Sequence, residues 1–252
     1  MPFLQPSATL RRLMCLVVVA HRASERFPLV IAANRDEDYA RATHDAHFWS
    51  DTPEVLGGRD AVANGSWLAI TRSGRFAAVT NLMGTERQTR SRGALVRDFV
   101  VGRAQPLEYA QTILPVANQY AGFHLFTGIA GSEAVYTTPH SHTVMRPGIQ
   151  AVSNAPAGEH WPKVDRATEE MSVALRMDDA ETIMLVLLQF LALPRGTDSV
   201  QTEVFIKGDR YGTRASTVIV VTETEILFGE QSFARGGEPY SKNRLFRIER
   251  GV

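Results

Sequence analysis

A single cysteine, Cys15, follows Met14 directly and opens an apolar run, Leu16-Val17-Val18-Val19-Ala20. Inside a longer chain it is a small hydrophobe at the edge of a buried strand. With Met14 and everything before it removed, thiol and α-amine belong to the same residue, the amine can accept the thiol proton, and the cysteine becomes an N-terminal nucleophile for acyl transfer. On that second reading residues 1–14 are an over-called start or a removable extension, and 15–252 form one domain.

Three further places carry polar groups where apolar strands meet loops. Asn34-Arg35-Asp36-Glu37 ends one such strand. Alternation along an extended chain sets Asn34 and Asp36 on one face and Arg35 and Glu37 on the other. A carboxylate sharing the face of the thiol would fix the α-amine or orient a substrate, and an arginine would bind an acid group; the plain alternative is a charged strand end with a local ion pair. Asn81 and Asn154 also stand at strand ends. Their amides either form turns or donate to a developing oxyanion without competing for its proton.

The elements that must position these groups follow from periodicity. Strands are expected over 16–20 and 28–34, then over 67–71 and 76–81 around a turn at Gly74. Helical spacing over 91–103 is followed by a helix that opens at Pro106 and runs to about residue 113. Short strands over 122–130, 134–138, 143–145 and 149–152 precede two long helices, 161–177 and 179–193, with Asp178 or Asp179 as a cap. Strands over 215–221, 225–231 and 245–249 close the chain. Blocks of strands alternate with pairs of helices, so antiparallel sheets covered by helices are expected, an α+β arrangement and not a doubly wound parallel sheet.

Other signals are discounted. The pairs His140/His142 and His44/His47 have no third ligand at metal-binding spacing and read as exposed loop histidines. Gly57-Gly58 and Gly236-Gly237 read as turn dipeptides, and no phosphate-cradling glycine motif occurs. Arg87, Arg90, Arg92 and Arg97 run into a helix N-terminus, where they either form a solvated face or receive an anion.

The 252 residues carry 27 basic and 27 acidic side chains, so no net field recruits nucleic acid or an anionic membrane. With 44% hydrophobic residues there is material for one large core. No apolar stretch reaches the roughly 20 residues that span a bilayer. One cysteine excludes an intrachain disulfide framework and any multi-cysteine metal site, which fits a reducing, cytoplasmic setting.

Met14-Cys15, 32–37 (Ala-Ala-Asn-Arg-Asp-Glu), 65–68 (Gly-Ser-Trp-Leu), 79–81 (Val-Thr-Asn), 91–93 (Ser-Arg-Gly), 152–155 (Val-Ser-Asn-Ala) and 211–214 (Tyr-Gly-Thr-Arg) occur in an order that resembles the NRDE, or transport and Golgi organisation, family. The resemblance implies an N-terminal-nucleophile (Ntn) hydrolase-like fold, a four-layer αββα sandwich whose first strand presents the catalytic residue. By position, Cys15, Asp36, Asn81 and Asn154 are similar to the catalytic set of that superfamily's cysteine acylases, with Arg35 and Arg214 as substrate contacts. It implies an amidohydrolase acting on linear non-peptide C–N bonds with no required cofactor. It equally implies a noncatalytic carrier of haem or an acyl lipid, with Cys15, Met14 or a histidine as the donor to a noncovalently held iron.

Overall fold

The computed structural model describes residues 15–83, 88–156, 158–194, 196, 199 and 201–250. Among the described residues thirteen strands form two antiparallel sheets. In chain order the strands are β1 (Leu16–His21), β2 (Leu29–Asp38), β3 (Thr43–Trp49), β4 (Thr52–Asp60), β5 (Leu68–Thr71), β6 (Arg75–Asn81), β7 (Phe123–Ile129), β8 (Ala134–Thr137), β9 (His142–Val144), β10 (Gly148–Ser153), β11 (Tyr211–Val221), β12 (Glu225–Ser232) and β13 (Arg244–Glu249). One sheet runs β10-β1-β2-β11-β12-β13 and the other runs β3 to β9 consecutively. Helices α1 (Arg92–Val101) and α2 (Pro106–Ile113) cover the second sheet; α3 (Pro162–Ala174) and α4 (Ala180–Ala192) cover the first.

Three apolar layers hold this αββα stack together. Val17, Val19, Leu29 and Ile31 meet Leu68, Ile70, Phe76 and Phe126 between the sheets. Leu16, Val18 and Val30 pack under Met171, Ile183 and Leu187. Leu95, Val96 and Phe99 cover Ala77 and Leu125 on the far side. Strands β1 and β2 are buried on both faces, which is why they read as continuous apolar runs and not as alternating ones.

The helix boundaries follow their caps. Ser91 Oγ accepts from the Gly93 N–H at 3.2 Å and starts α1. Asp179, not Asp178, caps α4, its carboxylate accepting from the Thr182 N–H at 2.7 Å. Prolines occupy the first turns of α2 and α3, where their missing N–H costs no intrahelical bond.

The structure departs from the sequence reading in three places. β3 and β4 form a hairpin that periodicity did not reveal, so six strands precede α1 and not four. Bulges between His44 and His47 and between Phe48 and Trp49 break its alternation, and Pro53, Gly57 and Gly58 weaken the strand signal of β4. His44 and His47 therefore sit on a strand, with His47 Nδ1 2.7 Å from the Asp45 carbonyl. Gly57-Gly58 is likewise not a turn. A Cβ at Gly57 would lie 2.5 Å from the Leu68 carbonyl oxygen, and one at Gly58 would lie 2.1 Å from the Trp67 ring. Finally, β2 continues through Asp38 and β11 begins at Tyr211, so the polar cluster lies within paired strands and not at a frayed end.

Candidate active site

A cavity of about 760 Å3 opens where β1, β2 and the loop before β5 approach the N-terminal end of α1. Cys15, Arg35, Asp36, Trp67, Asn81 and Ser91 are among the residues that line it. The position of Cys15 follows from register. Leu16 pairs with Asn34 on one side and Ser153 on the other. One residue further along, Cys15 stands opposite Arg35 and Asn154. Directly opposed residues in an antiparallel sheet point to the same face, and Cys15 and Arg35 both line the cavity.

The two faces of β2 divide the work. Asn34 turns toward the helices, where Nδ2 donates to the Leu191 and Val204 carbonyls at 2.9 Å each and Oδ1 accepts from Ser216 Oγ at 2.6 Å. That ties β2 to α4 and β11. Asp36 faces the same way: Oδ1 accepts from Thr213 Oγ1 at 2.7 Å, while Oδ2 is buried with no hydrogen-bond partner among the described residues. The carboxylate therefore does not share the face of the thiol. Cys15 Sγ instead meets the backbone of Asp36, 3.5 Å from its nitrogen and 3.8 Å from its oxygen. Arg35 faces the cavity, stacked 4.4 Å over the Trp67 ring, donating to Thr43 Oγ1 at 3.0 Å and 3.6 Å from Glu37. Gly58 leaves the room that the Trp67 ring occupies.

The remaining expected residues are placed differently from one another. Asn81 ends β6 on the cavity wall. Asn154 is completely buried beside Cys15, and neither end of its side-chain amide has a hydrogen-bond partner among the described residues. Arg214 is the extra residue of a bulge in β11. Its guanidinium donates to the Asp38, Tyr39 and Arg41 carbonyls at 3.0–3.2 Å, and it does not line the cavity. It fixes the turn that carries Asp38 and Arg41, which do line it. Arg90 stacks over Tyr120 and Arg97 pairs with Asp98 at 2.6 Å, so these members of the arginine run serve local contacts. Arg87 and Met14 lie outside the described residues.

One site residue escaped sequence reasoning. Lys163, in the first turn of α3, is 1% exposed, and its Nζ has no hydrogen-bond partner among the described residues. It sits 5.0 Å from the Trp161 ring and close enough to Asp36 and Cys15 to interact with their charges. Nothing in the segment Trp161-Pro162-Lys163 marks it as buried; only the docking of α3 on β1 and β10 does so.

Burial dominates the ionisation of the site. It raises the Asp36 carboxyl to about 7, against the opposing pull of Lys163 and of the Thr213 hydrogen bond. It raises the Cys15 thiol to about 11, with the Asp36 carboxylate adding to the rise. Lys163 is lowered by the same cause. At neutral pH the thiol is thus held protonated as long as no group beside it takes the proton. Among the described residues no cluster of three His, Cys, Asp or Glu side chains could hold a metal ion, and no helix is long and apolar enough to cross a membrane.

The two antiparallel sheets between helix pairs, with a cysteine at the start of the first strand facing a cavity, define an Ntn-hydrolase-like fold. Solved structures agree on that fold. A Caenorhabditis elegans N-acylethanolamine-hydrolyzing acid amidase ortholog superposes with a TM-score of 0.51 at 15% identity, covering 82% of this chain and 92% of that one. Penicillin V acylase from Agrobacterium tumefaciens superposes with a TM-score of 0.53 at 12% identity, covering 93% and 86%. The chain belongs to the transport and Golgi organisation 2 family, whose profile matches residues 14–235. A Bos taurus homologue of transport and Golgi organization protein 2 is 30% identical over 84% of this chain and 89% of its own length. The Drosophila melanogaster protein is 25% identical over 89% and 92%.

Proposed function

We propose that this protein is a cysteine amidohydrolase in which Cys15, freed at the N-terminus, attacks linear non-peptide amides. The observation that carries the reading is the set of buried acceptors beside Cys15 that have no donor among the described residues: Asp36 Oδ2 and Asn154 Oδ1. Leaving such atoms unbonded is costly, and an α-ammonium group at Cys15 is a donor of matching charge. The α-amine would accept the thiol proton as sulfur bonds to the substrate carbonyl carbon. Asn81 and the Asn154 amide would donate to the resulting oxyanion. Collapse of the adduct breaks the C–N bond, and the ammonium proton passes to the departing nitrogen. Water then hydrolyses the thioester, releasing the acid and restoring the thiol. The amide-cleaving neighbours are the source of the substrate class, and Arg35 on the cavity wall is suited to an acidic or polar substituent.

The test begins with a chain started at Met14, whose loss of methionine is read by intact mass. Incubated with a panel of N-acyl amides, it should form a thioester adduct of defined mass, and Cys15→Ala should form none. Asn154→Ala should slow turnover about 100- to 1,000-fold. Full hydrolysis by Cys15→Ala would overturn the mechanism. A carrier on the same scaffold, with haem or an acyl lipid as cargo, predicts saturable 1:1 binding and no thioester. Cys15 is the soft donor on the cavity wall, so a haemin titration of wild type and Cys15→Ala separates the two functions: a Soret shift that the substitution removes would place the thiol at iron.

A further inference from the structure

The second face of the site holds a charge that the proposed hydrolysis does not use. Lys163 is among the largest fully buried side chains of the protein. It is fixed there by its position: Pro162 opens α3, the Lys163 N–H donates to the Gln201 carbonyl at 3.1 Å, and α3 packs on β1 and β10 beside Cys15 and Asn154. An ammonium group so placed, without a hydrogen bond, persists only where nearby negative charge compensates it. The charges that face it come from three segments: Asp36 of β2, Cys15 ahead of β1, and Glu203 ahead of β11. The charges of Arg35 and Glu37, on the other face of the same strand, act on both Asp36 and Cys15. Asp36 Oδ2 and Lys163 Nζ are thus two buried atoms, one of a carboxyl and one of an ammonium group, that have no hydrogen-bond partner among the described residues.

We propose that Lys163 is a positioning residue of the site, the internal counter-ion that keeps Asp36 as a carboxylate and favours the thiolate of Cys15 from the helix side of the sheet. The role concerns the ionisation of the thiol and holds whether or not Cys15 turns over an amide. Removing a nearby opposite charge shifts an ionisation by about one unit or more. Removing Lys163 lets the Asp36 carboxyl rise further, and burial lowers Lys163 itself, so the direct effect of Lys163 on sulfur is read on the part of the rising limb above the Asp36 range and below that of Lys163.

The experiment follows the rate of Cys15 alkylation by iodoacetamide from pH 7.5 to 11, by intact mass, in the full chain. Lys163→Met should move the profile to higher pH, labelling about tenfold more slowly at a fixed pH on its rising limb. Asp36→Asn, which deletes a negative charge, should move it to lower pH. Lys163→Arg, which keeps the charge, should stay on the wild-type profile. Should the methionine variant not fold, as judged by circular dichroism, Lys163→Gln removes the same charge with a polar tip and should give the same shift. A charge-removing variant that superimposes on wild type would overturn the proposal. So would faster labelling in the Lys163 and Asp36 variants alike, because loosened packing exposes the thiol in both whereas a charge effect has opposite signs.

Discussion

Glu230 lends itself to a quantitative test of the electrostatics, away from the cavity. It is 1% exposed on β12, and its carboxylate bridges the two sheets: Oε1 accepts from the Ala46 N–H of β3 at 2.6 Å and Oε2 from Thr217 Oγ1 at 3.0 Å. Burial, reinforced by Asp45, lifts its ionisation from 4.5 to about 7 despite those two bonds and the pull of Arg244. The native protein therefore holds a proton that the unfolded chain gives up. Below pH 4.5 both states are protonated and the difference vanishes. Between 4.5 and about 7 the unfolded state alone ionises, and stability falls as pH rises, by about 1.4 kcal/mol per unit. Above 7 the native state carries the full cost, about 3 kcal/mol for a rise of this size. Glu230→Gln removes the charge and keeps the geometry, since the amide oxygen can accept from Ala46 while the Thr217 hydroxyl turns to accept from the amide nitrogen. At pH 5 the variant and wild type should unfold at similar urea concentrations; at pH 8 the variant should be more stable by about 3 kcal/mol. In a melt that is a rise of about 2–4 °C per kcal/mol. Parallel pH profiles for the two proteins, or a variant less stable at pH 8, would refute the argument that burial and not hydrogen bonding governs this carboxyl.

Asn34→Ala deletes three hydrogen bonds and leaves the Leu191 and Val204 carbonyls buried without donors, so urea unfolding should show a loss of about 3 kcal/mol or more. Because Asn34 faces the helices and not the cavity, thioester formation per folded molecule should change far less than in Asn154→Ala. Gly58→Ala would set a methyl group 2.1–2.2 Å from the Trp67 ring atoms. Displacing that ring should cost about 1–3 kcal/mol and shift tryptophan fluorescence, and it should weaken substrate binding through the Arg35 guanidinium that stacks on it. An unchanged emission maximum together with unchanged binding would separate Trp67 from the site.

Much of the scaffold could be read from residue order. β-branched apolar runs, the turn at Gly74 (φ +84), an aspartate cap at 178 or 179, which the structure gives to Asp179, and the proline that opens α2 are local features, and all are realised in the structure. The family motifs also placed Cys15, Arg35, Asp36 and Asn81 on what became one cavity wall. The β3–β4 hairpin escaped because bulges destroy the period-2 pattern that betrays a strand, and because glycines that make room for a neighbouring ring look the same in sequence as glycines that make a turn. Sequence alternation could separate the faces of β2 but could not say which face the thiol would share.

By itself the sequence determined which residue types stand at strand ends, the αββα block order and the family. Only tertiary structure decided that Asp36 turns to the helix side of its sheet while Cys15 lines the cavity, that Arg214 holds a turn, and that Lys163 is buried. Each of those outcomes depends on register and helix docking, which join residues far apart in the chain, such as Asp36 and Thr213, 177 positions apart. The electrostatic energies follow from the exclusion of water at those junctions, a property of the packed layers and of no single segment.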